Sequence, residues 1–411
     1  MLTTGFVSIH EHQEHPAIFC GQRMTNMTCR EILFKLIEDQ HLLFQMENRD
    51  RPNLLTRVLI SLYELGATDE QLARAYQQLA PDLTTMRVST VVKITEENWQ
   101  DYLGDHSCYG DFLAFFDKQV ELLGSETVLE RYFYTSVLQQ SIGSQLQPLV
   151  HLAFGIEHGL FLVVTQALAY LACTFLDASD LTCTADPLAS TTGNQDVHVL
   201  FDMVAADQRF DGRFDGGNTL YSAVKVLLKS KSELLRTYMT EWTAIAKNDV
   251  SQQHGLFLLA ELAAKLIRQS SSKSAGQIEL DEFLGGGQLL ASALAIHTII
   301  AHCPRHIELD VNSLVNLQFL SMLCTYVVQG RPKSCFAASS THVASPPVDW
   351  SDCASAIIES GDPKAVLALR SLKQAWQCDK NDIYRDTATF LMDFVHDGVW
   401  VKGGIGWKAV N

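Results

Sequence analysis

The sequence predicts an all-α fold with at most a minor β element, and three observations carry that prediction. Apolar residues recur at three- and four-residue spacing along most of the 411 residues, the mark of helices with one buried face. Start and stop signals bracket several of those stretches: Thr68 and Gln71 form a capping-box pattern, and Gly66 follows the apolar run that ends at Leu65. The chain is 47% hydrophobic against 19% charged, which supplies enough apolar surface for one large core. One helical domain over residues 1–411 is expected, with 1–27 a loosely ordered N-terminal segment.

In chain order, the periodicity predicts helices over 29–44, 54–65 and 68–79. The valine-rich stretch 86–94 suits a short strand or an extended connector. Helices follow over 95–103, 109–123, 126–140 and 145–176, then a long polar loop over 177–196. The remaining helices fall at 219–230, 232–247, 252–269, 288–302, 312–328, 351–360, 363–377 and 380–396. Serine-rich 269–276 and proline-closed 330–347 read as loops on the same body.

Composition excludes several functions. A formal net charge of −16 and a pI near 5.3 oppose binding to a phosphate backbone or to an anionic membrane surface. The ten cysteines include no C-x-x-C pair, so zinc-finger and thioredoxin-type readings have no support. The first fifteen residues lack the basic start and apolar run of a signal peptide. Free thiols in a cytoplasmic protein are therefore expected, and Asn26-Met27-Thr28 carries no weight as a glycosylation acceptor. The charge-free run Gly159–Leu176 has no positive flank and reads as a buried central helix rather than a membrane span.

No P-loop, G-x-S-x-G, H-E-x-x-H or strand-linked G-x-G-x-x-G is present. Gly285-Gly286-Gly287 fits close helix packing better than a phosphate cradle. His10, Glu11, His12 and His15 belong to a solvated terminal segment, and His302 and His306 suit the end of a helix. His151 and His158 share a helix face in the most apolar part of the chain, with Glu157 beside them. Buried there, they must be hydrogen-bonded or functional.

The run His151–His158 (HLAFGIEH), followed by Ala167-Leu168-Ala169, resembles the H-L-G-Y-G-x-E core of the questin oxidase-like family of fungal secondary-metabolite enzymes. Leu62–Ala67, Asn98-Trp99 with Leu103-Gly104, Tyr109, Phe115-Phe116, Leu280-Asp281 with Phe283-Leu284, Arg370-Ser371-Leu372 and Trp400 with Gly403–Gly406 match further family motifs in the same order. The resemblance implies a helical domain around a deep apolar pocket and a polyketide-type substrate such as an anthraquinone. It also implies oxidative ring cleavage of Baeyer–Villiger type, with iron in some members.

The sequence departs from the family's ligand-type positions. N-H-x-x-H-H becomes Asn53-Leu54-Leu55-Thr56-Arg57-Val58. The first histidine of H-P-L-x-H is Gln147, while His151 survives. The glutamate of A-E-A-L-A is Gln166, the histidine after it is Thr174, and that after D-F-F-L-M is Gly286. In the late D-x-H-x-x-K motif, histidine and lysine become Lys364 and Leu367. The expected site thus has His151 and Arg57 as catalytic groups, with Asn53, Leu54, Gln147, Phe154, Glu157, His158, Gln166, Gly286, Lys364 and Leu367 around a small apolar substrate.

Apolar groups, amides and cations do not hold iron. The leading reading is therefore a cyclase or isomerase with no metal or other cofactor, of pericyclic, Diels–Alderase-like type, acting on a polyketide- or terpenoid-like compound. Such an enzyme works by holding a reactive conformer and polarising a carbonyl. One alternative is an oxidoreductase, of Baeyer–Villiger type or using Fe held by His151, Glu157, His158 and His297. Another is a non-catalytic binding protein for a pathway intermediate.

Overall fold

A computed structural model of the chain describes residues 27–48, 51–87, 92–183, 196–214, 219–247, 252–274, 276–332 and 349–410. Its first helix begins where a local hydrogen-bond exchange allows it. The Thr28 side chain accepts from the Glu31 N–H at 3.3 Å, and Glu31 accepts from the Thr28 N–H at 2.7 Å, satisfying two donors that a helix start leaves open. This opens α1 (Cys29–Leu43). A short hairpin follows, β1 (Glu47–Asn48) and β2 (Arg51–Pro52), then α2 (Leu55–Leu65), closed by Gly66 at φ 95°, a left-handed conformation that glycine adopts without strain. Thr68 and Gln71 form the expected capping box on α3 (Asp69–Leu79).

The remaining helices are α4 (Tyr109–Leu123), α5 (Ser125–Leu129), α6 (Gln147–His158), α7 (Phe161–Cys173), α8 (Ser179–Thr182), α9 (Val197–Ala206), α10 (Leu220–Ser230), α11 (Ser232–Lys247), α12 (Gln252–Gln269), α13 (Gln288–Ala301), α14 (Val311–Val328), α15 (Trp350–Ser360), α16 (Pro363–Asp379) and α17 (Asp382–Asp397). Between α12 and α13, β3 (Ser271–Ser274) pairs antiparallel with β4 (Gln277–Asp281), and β5 (Val399–Val401) joins β4 in parallel. The protein is all-α with this minor β element.

Several elements differ from their sequence-based prediction. The single helix expected over 145–176 is two, because Gly159 adopts φ 63° and stops α6. At its other end, Ser144, Gln145 and Leu146 all take left-handed conformations before α6 begins. The helix expected over 126–140 is broken into α5, a π-helical turn at Glu130–Tyr134 and a 3₁₀ turn at Val137–Gln140. The helix expected over 95–103 shrinks to a 3₁₀ turn at Trp99–Tyr102. The serine-rich loop is the β3–β4 hairpin, and α9 falls where no helix was expected. The expectations for residues 1–26, 88–91, 184–195 and 333–348 lie outside the described residues.

One apolar cluster runs from Ile32 in α1 to Phe394 in α17. Helices α6, α7, α13 and α14 lie in its middle, and every residue from Val163 to Cys173 is buried. By length and composition α14 passes as a membrane span, yet 78% of it is buried inside the protein, as befits a core helix. Backbone close approach sets two glycines. A Cβ on Gly287, which has φ 77°, would lie 2.6 Å from the Ala368 Cα, and one on Gly155 would lie 2.8 Å from the Val164 side chain and 2.9 Å from its backbone nitrogen. The family-like Leu280-Asp281 stretch has its own cause. Asp281 accepts from the N–H groups of Phe283, Leu284 and Ile405, so it ties the C-terminal segment to the body.

Gly155 lets α6 and α7 touch, and an added methyl has no room to relax against backbone. Gly155→Ala is expected to lower stability by about 1–3 kcal/mol, the usual range for overpacking. Urea unfolding checks this, with an unchanged midpoint as the contrary result.

Candidate functional site

The site is best built from His151, fully buried on α6 among apolar neighbours. Its Nε2 lies 3.2 Å from the Gln166 side-chain oxygen on α7. Gln166 in turn donates through Nε2 to the Gln40 side-chain oxygen at 2.7 Å, which also accepts from the Thr56 hydroxyl at 2.7 Å. The chain of bonds has one direction: Gln166 presents its oxygen to His151, so Nε2 carries the ring proton and Nδ1 is left as a bare acceptor. That Nδ1 is buried with no partner among the described residues. Burial, and next the Arg57 charge, hold the His151 pKa down at about 3, so the ring is neutral at any working pH.

Arg57 is the complementary group. It sits in α2, where every residue from Leu55 to Leu62 is buried. Its Nε and Nη2 find no acceptor among the described residues. Burial lowers its pKa to about 10, partly opposed by Tyr170 and Tyr221, so the guanidinium remains charged at neutral pH. A buried cation with no carboxylate partner among the described residues is a costly arrangement. Donors lacking acceptors thus sit near an acceptor lacking a donor. Gln147, one turn before His151 on α6, adds a buried side-chain oxygen without a partner.

A second polar chain, which the sequence did not reveal, starts at Tyr170. Its hydroxyl donates to Glu47 at 2.7 Å, and the Ser144 hydroxyl donates to the same carboxylate oxygen. Ser144 reaches Glu47 because of the left-handed turn before α6. The other Glu47 oxygen lies 3.5 Å from Nδ1 of His106, whose side chain is 44% exposed while that of Glu47 is 5% exposed. Tyr170 lies inside the charge-free run. Its hydroxyl in a fully buried helix was the one available signal, since a buried phenol finds a partner.

The other expected residues make contacts of their own apart from the His151–Gln166 pair. Asn53 is a helix start: its side chain accepts from the Leu55 N–H and donates to the Gln45 carbonyl. Leu54 and Leu367 pack as half-buried apolar groups against the core. Gly286 and Lys364 lie together, but Lys364 is paired with Glu282 at 2.6 Å and lies over the Trp400 ring. Phe154, Glu157 and His158 belong to an ion cluster centred on Arg370. Its guanidinium lies 4.4 Å from the Phe154 ring centre, 2.5 Å from Glu157 and 2.8 Å from Glu64, and Glu64 faces His158 at 3.4 Å. Salt bridges and an aromatic contact hold these residues together around Arg370.

The donor set does not fit iron. His158 faces Glu64, and the Glu157 oxygens accept from Thr298, Gln374 and Arg370. His297 feels Glu157 electrostatically and lies tilted beside Phe257, the ring centres 5.6 Å apart. Among the described residues no three His, Cys, Asp or Glu side chains converge. The Arg57 charge that bears on His151 would repel a metal there. Two surface clefts, of about 430 and 80 Å³, are lined respectively around Trp99, Arg131 and Tyr132, and around Val58, Gln78 and Ile358.

Comparison with known proteins supports the motif-level resemblance. The family model described as questin oxidase-like matches residues 52–372. The chain is similar to a Baeyer–Villiger oxidase of Pestalotiopsis microspora, 26% identical over 34% of this chain and 33% of that protein. It is similar to a questin oxidase of Aspergillus terreus, 26% identical over 38% of each chain, and to a Baeyer–Villiger oxidase of Pestalotiopsis fici, 29% identical over 34% of this chain and 35% of that one. The matched stretches thus span about a third of the length of these relatives.

Removing Arg370 leaves two carboxylates, Glu157 and Glu64, without their counter-charge. Arg370→Met is expected to cost about 3 kcal/mol, less than a fully buried pair because Glu64 is partly exposed; chemical denaturation measures it. Burial raises the Glu64 pKa, but the hydrogen bonds and charges of His158 and Arg370 outweigh it and bring the value down to about 2. A depressed carboxylate stabilises the fold above its unfolded value and loses that contribution as pH falls toward 2. Wild-type stability should therefore fall between about pH 4.5 and 2, and Glu64→Gln should flatten that slope.

Proposed function

The chain belongs to the questin oxidase-like family, and from that premise we propose that it is an oxidoreductase of fungal-type secondary metabolism. Its substrate is an oxygenated aromatic compound of polyketide type, seated with one oxygen at Arg57 and His151. A single observation carries the reading: two unused guanidinium donors and one unused imidazole acceptor are buried near each other. A phenolic hydroxyl matches both. Its oxygen accepts from Arg57, and its proton points at Nδ1 of His151.

The chemical consequence favours oxidation. When the hydroxyl loses its proton, the negative charge spreads into the ring and makes it more easily attacked by an oxidant. A fixed cation in a dry site stabilises that anion far more than water-screened charge does. His151 keeps the hydroxyl in register, and the Gln166–Gln40–Thr56 chain holds His151 in its tautomer. The names of the relatives, questin oxidase and Baeyer–Villiger oxidase, move oxidation ahead of the cyclisation that the sequence places first. Cyclisation is retained as the second reading, on a specific observation: the site offers amides and a guanidinium, which suit a polarised carbonyl.

Arg57→Met should lose turnover of a hydroxyanthraquinone by about 100-fold while the melting temperature stays level or rises, because an unpaired buried cation is removed. His151→Phe should lose turnover similarly. Oxygen uptake alongside mass spectrometry of the product separates oxidation from isomerisation, and an unchanged rate per folded molecule in Arg57→Met would overturn the reading.

A further inference from the structure

Resting on that placement of the substrate, we propose that Tyr170, Glu47 and His106 form a proton path from the substrate hydroxyl to solvent. Three observations support it. Tyr170 donates to Glu47 at 2.7 Å, and Glu47 faces Nδ1 of His106 at 3.5 Å. The three side chains run from fully buried, through nearly buried, to the 44% exposed His106. The Ser144 hydroxyl fixes Glu47 from a run of three left-handed residues, a strained arrangement of the sort kept where a group must be aimed.

The site needs such an outlet. Ionising a buried phenol requires somewhere for the proton to go, and His151 is held too acidic to keep it. In the step we infer, the substrate O–H bond breaks and its electron pair stays on the oxygen beside Arg57. The hydroxyl turns from Nδ1 of His151, and its proton goes to the Tyr170 oxygen as the Tyr170 proton passes to Glu47. Glu47 gives it to His106, and His106 releases it to water. The anion is balanced by the Arg57 charge, and no oxidant or reductant takes part. Other ionisable groups face this path: Tyr221 and Cys173 near Tyr170 and Glu47, and Asp105 and Cys108 near His106. Tyr170 takes the substrate proton directly, while Glu47 and His106 act through it as positioning groups for proton transfer.

The test uses the full chain with 2-hydroxyanthraquinone, whose anion absorbs at longer wavelength than its neutral form. Equilibrium absorbance reports whether the dye binds as the anion, and the colour change after a stopped-flow pH jump reports how fast its proton leaves. Tyr170→Phe, Glu47→Gln and His106→Ala are expected to slow the colour change by about 100-fold, with dye affinity and final absorbance unchanged. Imidazole in the buffer should restore His106→Ala alone. His106 is at the surface, so this variant carries the test should Glu47→Gln not fold. Wild-type rates in the folded variants would overturn the path while leaving the Arg57 site standing. Failure of the wild type to bind the dye as its anion, or equal binding by Arg57→Met, would overturn the site and the path with it.

Discussion

A guanidinium in a helical core, with no counter-charge among the described residues, constrains everything around it. Arg57 is kept in place by α2, whose buried face runs from Leu55 to Leu62, and by the helices packed over it. Hydrophobic burial at about 25 cal/mol per Å² over so extended a cluster can carry one unfavourable charge, whereas a small domain could not. The scale of the core and the presence of the charge are therefore linked. A large helical body with one apolar cluster is the kind of scaffold in which a dry cation can persist, and a dry cation is worth more to a bound anion than a hydrated one.

The interruptions of the helices matter as much as the helices. Had 145–176 been continuous, as its composition suggests, Tyr170 would stand far from the N-terminal end of α6. The break at Gly159 folds α7 back along α6, with Gly155 allowing backbone contact at Val164. That return brings Gln166 to His151. The left-handed run at 144–146 then turns Ser144 toward Glu47. The short β1–β2 hairpin, marginal as a piece of sheet, serves to bring Glu47 over α7.

The helices were legible because their signals are local. Thr68 with Gln71 and Gly66 can each be recognised within four residues. Gly159 was not recognised because the run around it is apolar on every face and has no phase to lose. His151, Gln166 and Arg57 stood out as polar residues in apolar surroundings, at positions where a family pattern is broken. Glu47 and Gln40 did not, because their partners Tyr170 and Gln166 lie 123 and 126 residues away. The same distance effect hid the partners of Glu157 and Lys364: nothing near them in sequence announces Arg370 or Glu282 as counter-charges.

Arg57 also ties ligand discovery to heat. A compound that brings a negative oxygen to this cation removes a strain that the folded chain alone must bear, and it does so only in the native state. By mass action, each tenfold rise in ligand concentration above its dissociation constant adds about 1.4 kcal/mol to the folded side. Acidic phenols ranked by how far each delays melting are therefore ranked by their affinity for a single buried charge, and neutral analogues of the same shape provide the scale's zero.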